Sequence, residues 1–277
     1  MKLTNFDLKN KFALITGSAG LLGEEHALAL LEVNANIVLT DISKERVNLI
    51  RKRLIKFYPS KKIVSYPMDV TDPNSIKNVL NSLKKEKIYI NILINNAAID
   101  SKINSKGKFE NKNRIENLSL IDWNKQLEVG LTGAMLCSKY FGSAMAKKNK
   151  GGIILNIASD LSIISPYQKL YEKSKTSKNN QPVKPVMYSV VKHGLIGLTK
   201  YLSTYWPEKN IRCNAVSPGA VYNNQPKEFT KRIKNLIPLN RLAKKNEYRS
   251  TIQFLCSDAS SYMTGQNIVI DGGRSVW

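Results

Sequence analysis

The chain has 277 residues, 42% of them hydrophobic, and a formal net charge of +22. That is enough for one large α/β domain; no apolar run reaches the ~18–20 residues of a membrane span, and Met1-Lys-Leu-Thr-Asn-Phe-Asp7 lacks a signal-peptide core. Cys137, Cys213 and Cys256 are odd in number and far apart, and His26 and His193 are scattered, which excludes a disulfide framework or metal centre and fits a cytoplasmic protein. The lysines are spread among many asparagines with no zinc-finger, helix-turn-helix or RNA-binding pattern, so the charge reads as compositional bias and no nucleic-acid partner is expected.

Phe12-Ala-Leu-Ile-Thr16 is an apolar run of strand length, followed by Gly17-Ser-Ala-Gly20-Leu-Leu-Gly23 and a helical pattern to about Val33. Strand, glycine-rich turn and helix start together form the context of a dinucleotide-binding fingerprint. Gly17 turns the chain, Gly20 and Gly23 let backbone approach a pyrophosphate, and the helix N-terminus supplies N–H groups and a positive dipole end. Ser18, Leu21 and Leu22 of the same turn are candidate cofactor contacts.

Asn36-Ile-Val-Leu-Thr40 reads as the second strand and ends at Asp41, placed to accept hydrogen bonds from an adenosine ribose. Asp41 would repel a 2′-phosphate, and Lys44 and Arg46 lie inside the next helix. NAD(H) is therefore expected over NADP(H). A basic helix, about Lys44 to Phe57, leads to a third strand, Lys62-Ile-Val-Ser-Tyr-Pro67. Asp69, followed by Val70, stands where it can meet an adenine edge, and Asp72-Pro73 has the form of an N-cap and first helical turn. Ile90-Asn-Ile-Leu-Ile94 is the fourth strand and runs into Asn95-Asn96-Ala97-Ala98. Apolar strands alternating with helices predict a parallel sheet covered on both faces.

Tyr188-Ser-Val-Val-Lys192 places a tyrosine and a lysine one helical turn apart on one face. A phenol titrates near ~10, and a neighbouring ammonium lowers that value by favouring the phenolate. With Ser159 from another segment to hold an oxygen, the set suits proton exchange with an alcohol or carbonyl during hydride transfer. Farther on, Ile211 to Val216 reads as the sixth strand, Glu228 to Leu236 as a short amphipathic helix suited to a lid, and Tyr248 to Leu255 as a core helix. Asn267-Ile-Val-Ile270 closes the sheet, and an apolar last strand ending in Trp277 implies a subunit contact.

Thr16-Gly17-x-x-Gly20-x-x-Gly23, Asp41, Asp69-Val70, Asn95-Asn96-Ala97-Ala98, Ser159, Tyr188-x-x-x-Lys192, Ser217-Pro218-Gly219, Gly265-Gln266 and Asp271-Gly272-Gly273 occur in this order along essentially the whole chain. The series resembles that of the short-chain dehydrogenases/reductases. The resemblance implies a Rossmann-type, doubly wound, seven-stranded parallel sheet in a single domain. It also implies catalysis by Ser159, Tyr188 and Lys192, with Lys192 holding the ribose. Cofactor contacts would come from Gly17, Ser18, Gly20, Leu21, Leu22, Asp41, Asp69, Val70, Asn96, Ala97, Ala98, Tyr188, Lys192, Pro218, Gly219 and Val221. Asn95 would support the sheet centre, and a homodimer or homotetramer would be the assembly.

Several positions depart from the family pattern. Leu21 stands where a glycine is usual, and Ala98 replaces glycine. Gly130, in Trp123-Asn-Lys-Gln-Leu-Glu-Val-Gly130, stands where the family commonly has an asparagine that holds a proton-relay water. Val221-Tyr222-Asn223 lacks the threonine that often follows Pro-Gly. Ser159 and Tyr188 lie 29 positions apart, about double the family's usual gap. The added stretch, about 165–185, is basic, as is the long loop from Asp100 to Asn117. Both leave the C-terminal ends of strands, where such sheets bind ligands, and are expected to wall a pocket for a polar, anionic small molecule.

Asn156-Ile-Ala-Ser159-Asp-Leu-Ser, the 165–185 insertion and the ending Gly272-Gly-Arg-Ser-Val-Trp277 resemble a narrower group, the reductases of bacterial flagellin-modification and nonulosonate sugar pathways. The sequence thus implies an NAD-dependent alcohol–ketone oxidoreductase acting on a sugar or sugar-phosphate in surface-glycan biosynthesis. A 3-oxoacyl carrier-protein reductase and a catalytically degraded NAD-binding regulator are the other readings.

Overall fold

A computed structural model describes residues 4–99, 113–174 and 176–277. Most of the expected 100–117 wall lies outside these residues; its described end begins at Asn113. Seven parallel strands form one sheet in the order β3-β2-β1-β4-β5-β6-β7: β1 Phe12–Ile15, β2 Asn36–Asp41, β3 Ile63–Pro67, β4 Ile92–Asn95, β5 Gly152–Ile157, β6 Ile211–Pro218 and β7 Asn267–Ile270. The winding reverses between β1 and β4, which opens a crevice at the C-terminal ends of the central strands.

The central strands are apolar throughout because both faces are covered. Ala13 and Ile15 point into one core with Leu30, Leu54, Ile252 and Leu255, while Leu14 points into the other with Ile76, Phe141 and Leu202. On the first face lie α1 (Gly23–Glu32), α2 (Lys44–Phe57) and α9 (Arg249–Leu255). On the second lie α3 (Pro73–Lys85), capped as expected by Asp72 with Pro73 in its first turn, and α7 (Val186–Tyr205).

Between α3 and β5 runs one helical rod made of α4 (Leu120–Leu127), α5 (Gly133–Cys137) and α6 (Ser143–Lys148). Wider π turns at Glu128–Thr132 and Ser138–Gly142 interrupt it. Such turns are found preferentially at functional sites. The first holds Gly130. The second holds Ser138, whose hydroxyl accepts from the Asn95 side chain at 3.1 Å. Asn95 also donates to Asn156 at 2.8 Å, and Asn156 donates to Thr199 of α7 at 2.8 Å. Asn95 therefore supports the sheet centre through a buried chain of amides and hydroxyls.

The end of the chain departs from expectation. The last strand stops at Ile270, and Gly272 and Gly273, both with positive φ, turn the chain back on itself. Trp277 lies off the sheet, and its indole N–H donates to the Leu236 carbonyl at 3.2 Å. Among the described residues no helix is long and apolar enough to cross a membrane.

His26 of α1 is fully buried behind the glycine-rich turn, and neither ring nitrogen has a partner in hydrogen-bond geometry. Burial pushes its pKa down to about 4, with the Asn96 amide opposing part of that shift. An unfolded histidine takes up its proton near pH ~6.5, the folded one only near pH 4. Acid therefore favours unfolding: the stability is present above pH ~6.5 and is lost as pH falls toward 4, by up to about 3 kcal/mol. Urea denaturation of the wild type and His26→Leu between pH 7.5 and 5 checks this, and the variant is expected to show the flatter dependence.

Candidate active site

Thr16, just past β1, ties the glycine turn to the strand-four motif: its hydroxyl accepts from the backbone N–H groups of Asn96 and Ala97, both at 3.0 Å. The Asn96 amide donates to the carbonyls of Thr16 and Gly17, also at 3.0 Å. Gly17 has φ +59°, and a Cβ there would lie 2.8 Å from the Ala97 backbone. A Cβ on Gly23 would lie 2.5 Å from the Gly17 carbonyl oxygen. Leu21 keeps an ordinary negative φ and is 37% exposed, so its place in the turn does not require glycine.

Leu22, at the N-cap of α1, makes no side-chain cap. The two acids of the first turn are each matched by an arginine, Glu24 by Arg53 and Glu25 by Arg249 at 2.6 Å. The helix N-terminus therefore keeps its positive end for an anion, which fits a dinucleotide pyrophosphate.

Asp41 is buried; its carboxylate accepts from the N–H of Ala19 at 3.0 Å and of Ser43 at 3.2 Å. The N-cap of α2 is Ser43, not Asp41. The Arg46 guanidinium reaches back from α2 and donates to the Ala19 carbonyl. Arg46 lies inside α2 as expected, yet its side chain reaches the glycine loop, because the first turn of α2 faces that loop. Asp69 accepts from the Thr71 N–H at 2.8 Å and hydroxyl at 2.7 Å, while Val70 fills the space beside Gly133.

At the centre, the Lys192 ammonium is buried and donates to the Ile157 carbonyl at 2.8 Å, which joins α7 to the end of β5 two residues before Ser159. The turn Asp160–Ser162 packs against α7. Nζ of Lys192 lies 5.7 Å from the centre of the Tyr188 ring. The Ser159 hydroxyl donates to Asp160 Oδ1 at 2.9 Å, and Asp160 Oδ2 forms a buried ion pair with Arg274 at 2.7 Å. Pro218 ends β6 and Gly219 follows it against the C-terminal motif; a Cβ on Gly219 would lie 2.6 Å from the Asp271 backbone. Val221 bridges to Ala243, and Ala98 is exposed at the mouth of the crevice.

A family model described as enoyl-(acyl carrier protein) reductase matches residues 17–275. The 3-oxoacyl-(acyl-carrier-protein) reductase of Thermotoga maritima is 31% identical over 271 residues, 96% of this chain and 98% of that one. The chain belongs to the short-chain dehydrogenase/reductase family. An NAD-dependent glycerol dehydrogenase of Listeria innocua is 28% identical over 98% of this chain and 96% of its own length. The crystal structure of a short chain dehydrogenase from Leptospira borgpetersenii with bound NAD+ has a TM-score of 0.84 at 29% identity, covering 99% of this chain and 96% of that one. This member is an oxidoreductase of CH–OH groups, in a family that uses NAD(P).

Within this short-chain dehydrogenase/reductase, Gly130 has a structural explanation. A Cβ at residue 130 would lie 2.5 Å from Cγ1 of Val191 on α7. Valine is stiff in a helix, so an asparagine cannot be seated there while Val191 stands. Gly130→Asn alone is expected to cost about 1–3 kcal/mol from overpacking. Adding Val191→Ala should recover most of that loss, read from thermal and urea midpoints.

Sequence reasoning missed Asp160 and Arg274, although each lies in one of the stretches that resemble the narrower group. Their contact joins positions 114 apart. Arg274→Met leaves the Asp160 carboxylate buried and unpaired, with an expected loss of about 3–5 kcal/mol. Asp160→Asn in the same chain should restore much of it, measured by urea denaturation.

Proposed function

We propose that this enzyme interconverts an alcohol and a ketone with NAD(H), on a polar and anionic small molecule of the sugar or sugar-phosphate kind. The observation that carries the chemistry is the pinned Lys192 beside Tyr188. In the reducing direction the Tyr188 hydroxyl gives its proton to the substrate oxygen, and the Lys192 ammonium stabilises the phenolate left behind. Ser159 holds the same oxygen. Its hydroxyl is now turned to Asp160, which Arg274 keeps paired, so it rotates from one oxygen to the other. The Gly17–Gly23 turn, Asp41, Asp69, Val70, Asn96, Ala97, Pro218, Gly219 and Val221 would hold the dinucleotide, which exchanges hydride with the substrate carbon when bound.

Asp41 supports NAD(H) over NADP(H), since a 2′-phosphate would meet its carboxylate, with Arg46 at the glycine turn to soften the repulsion. The basic composition of the insertion supports a polar, anionic substrate, and its contacts with α8 hold it in place. Leu170 and Tyr171 of the insertion pack with Phe229 and Ile233 of α8 (Lys227–Lys234), and Arg232 donates to the carbonyls of Lys169 and Glu172. Among the lysines of this basic insertion, Lys169 is exposed, Lys173 is half-buried and Lys184 lies against Tyr188.

The Thermotoga relative favours a second reading, a carrier-protein substrate for the basic surface. Turnover of an oxo-sugar and sugar-phosphate panel beside an acetoacetyl carrier protein, with NADH and with NADPH, separates the two. Turnover is expected on the sugar panel, faster with NADH, and at least a hundredfold lower in Tyr188→Phe. Binding of NADH with no Tyr188-dependent turnover on any substrate would instead mark a cofactor-binding regulator.

A further inference from the structure

The insertion before α7 carries a second cation to the tyrosine. Nζ of Lys184 lies 3.8 Å from the centre of the Tyr188 ring, closer than Nζ of Lys192 at 5.7 Å. Lys184 is outside the helix, which begins at Val186 after an extended Pro185.

Its backbone is fixed by one glutamine. The Lys184 N–H donates to the Gln168 side-chain oxygen at 2.9 Å, and the Gln168 amide donates back to the Lys184 carbonyl at 3.4 Å. A side-chain amide that engages both polar groups of one residue acts as a strand neighbour would. Gln181 does the same for Lys173, at 2.8 Å and 3.1 Å. The loop so stitched is anchored outward by Arg114, which donates to the Gln181 carbonyl at 3.3 Å, and by Arg232 of the lid. Lys184 is thus held by a braced loop and not by a free surface segment.

We propose that Lys184 is a second electrostatic positioning residue for Tyr188, an ammonium on the ring face that stabilises the phenolate together with Lys192. A cation is attracted to the face of a neutral aromatic ring and more strongly to a ring bearing negative charge, so its presence favours loss of the phenolic proton. Among the described residues, the charged groups on the elements packed against α7 include Asp160 on the turn after β5 and Asp122, Lys125 and Glu128 on the helical rod. Asp160, on the turn packed against α7, is paired with Arg274. From the helical rod packed on α7, the buried residues of α4 and of the first π turn are Gln126 and Gly130, neither of them ionisable. The space beside Gly130 is filled by the hydrocarbon of Val191. The inference rests on Tyr188 as the acid/base group.

The test needs no substrate. Ultraviolet tyrosinate absorbance is followed against pH for the full chain, and the difference from Tyr188→Phe isolates the Tyr188 step. Lys184→Met and Lys184→Gln are expected to raise its midpoint by about one pH unit. Lys184→Arg should leave it within a few tenths, and NADH binding followed by fluorescence should stay intact in all three. A raised midpoint supports the coupling even if Tyr188→Phe still turns over, a result that would sink only the acid/base reading. An unshifted midpoint in Lys184→Met and Lys184→Gln that bind NADH overturns the coupling, whatever Tyr188→Phe does.

Discussion

A buried ammonium needs acceptors, and the position of Lys192 follows from that need. Its bond to the Ile157 carbonyl at 2.8 Å sets the rotation of α7 about its axis. With Lys192 facing the sheet, Tyr188 one turn earlier must lie on the same face. Thr199, two turns later, accepts from Asn156 on the same strand, so α7 is fastened to β5 at neighbouring residues. The amide chain continues through Asn95 into β4, and the Asn156 amide also approaches the Cys213 sulfur on β6 at 3.7 Å. The candidate catalytic pair is rigid because its helix shares a buried polar network with three central strands.

What could be read in advance was local. The glycine turn, the strands and the Asp72-Pro73 helix start are written in consecutive residues, whose backbone requirements and periodicity do not depend on partners elsewhere. The parallel order followed from strands alternating with helices. What could not be read were side-chain pairings across the fold. Arg46 looked sequestered in α2, because nothing in its neighbours reveals that the first turn of that helix faces Ala19. Arg274 and Asp160 meet only because two left-handed glycines fold the C-terminus back from β7. The same reversal removed Trp277 from the last strand: an apolar end looks like a strand until the turn before it is known.

The insertion, α8 with the segment after it, and the C-terminal turn form a second small core beside the sheet. Leu170 comes from the insertion, Ile233 from α8, and Ile237 and Leu242 from the segment that follows. Gly272 and Gly273 lie directly against Ile237 and Pro238, where any Cβ would come within 2.8 Å. The three segments are far apart in sequence and each is too short to bury an apolar face alone. Together they form a roof whose polar attachments, Arg232 to the insertion and Trp277 to Leu236, are mostly to backbone carbonyls. Such bonds brace the roof without prescribing its side chains. Signatures that looked independent in the sequence are parts of this roof and the Ser159 turn beneath it.

Gly130 and Val191 are best understood as a single feature. Close packing allows either a side chain at 130 or a valine at 191, and this chain has the valine. The only polar atoms that residue 130 can offer are its backbone N–H and carbonyl, in a π turn that departs from the regular helical ladder. A proton route through an asparagine side chain is therefore closed by hydrocarbon. Lys192 nonetheless keeps its bond to β5, and the enlarged loop brings a further ammonium to the Tyr188 ring. Residue 130 thus offers no side chain, while the Lys184 and Lys192 ammoniums both lie near the phenol ring. Electrostatic stabilisation of a phenolate depends on the presence of nearby cations more than on the particular helix or loop that supplies them.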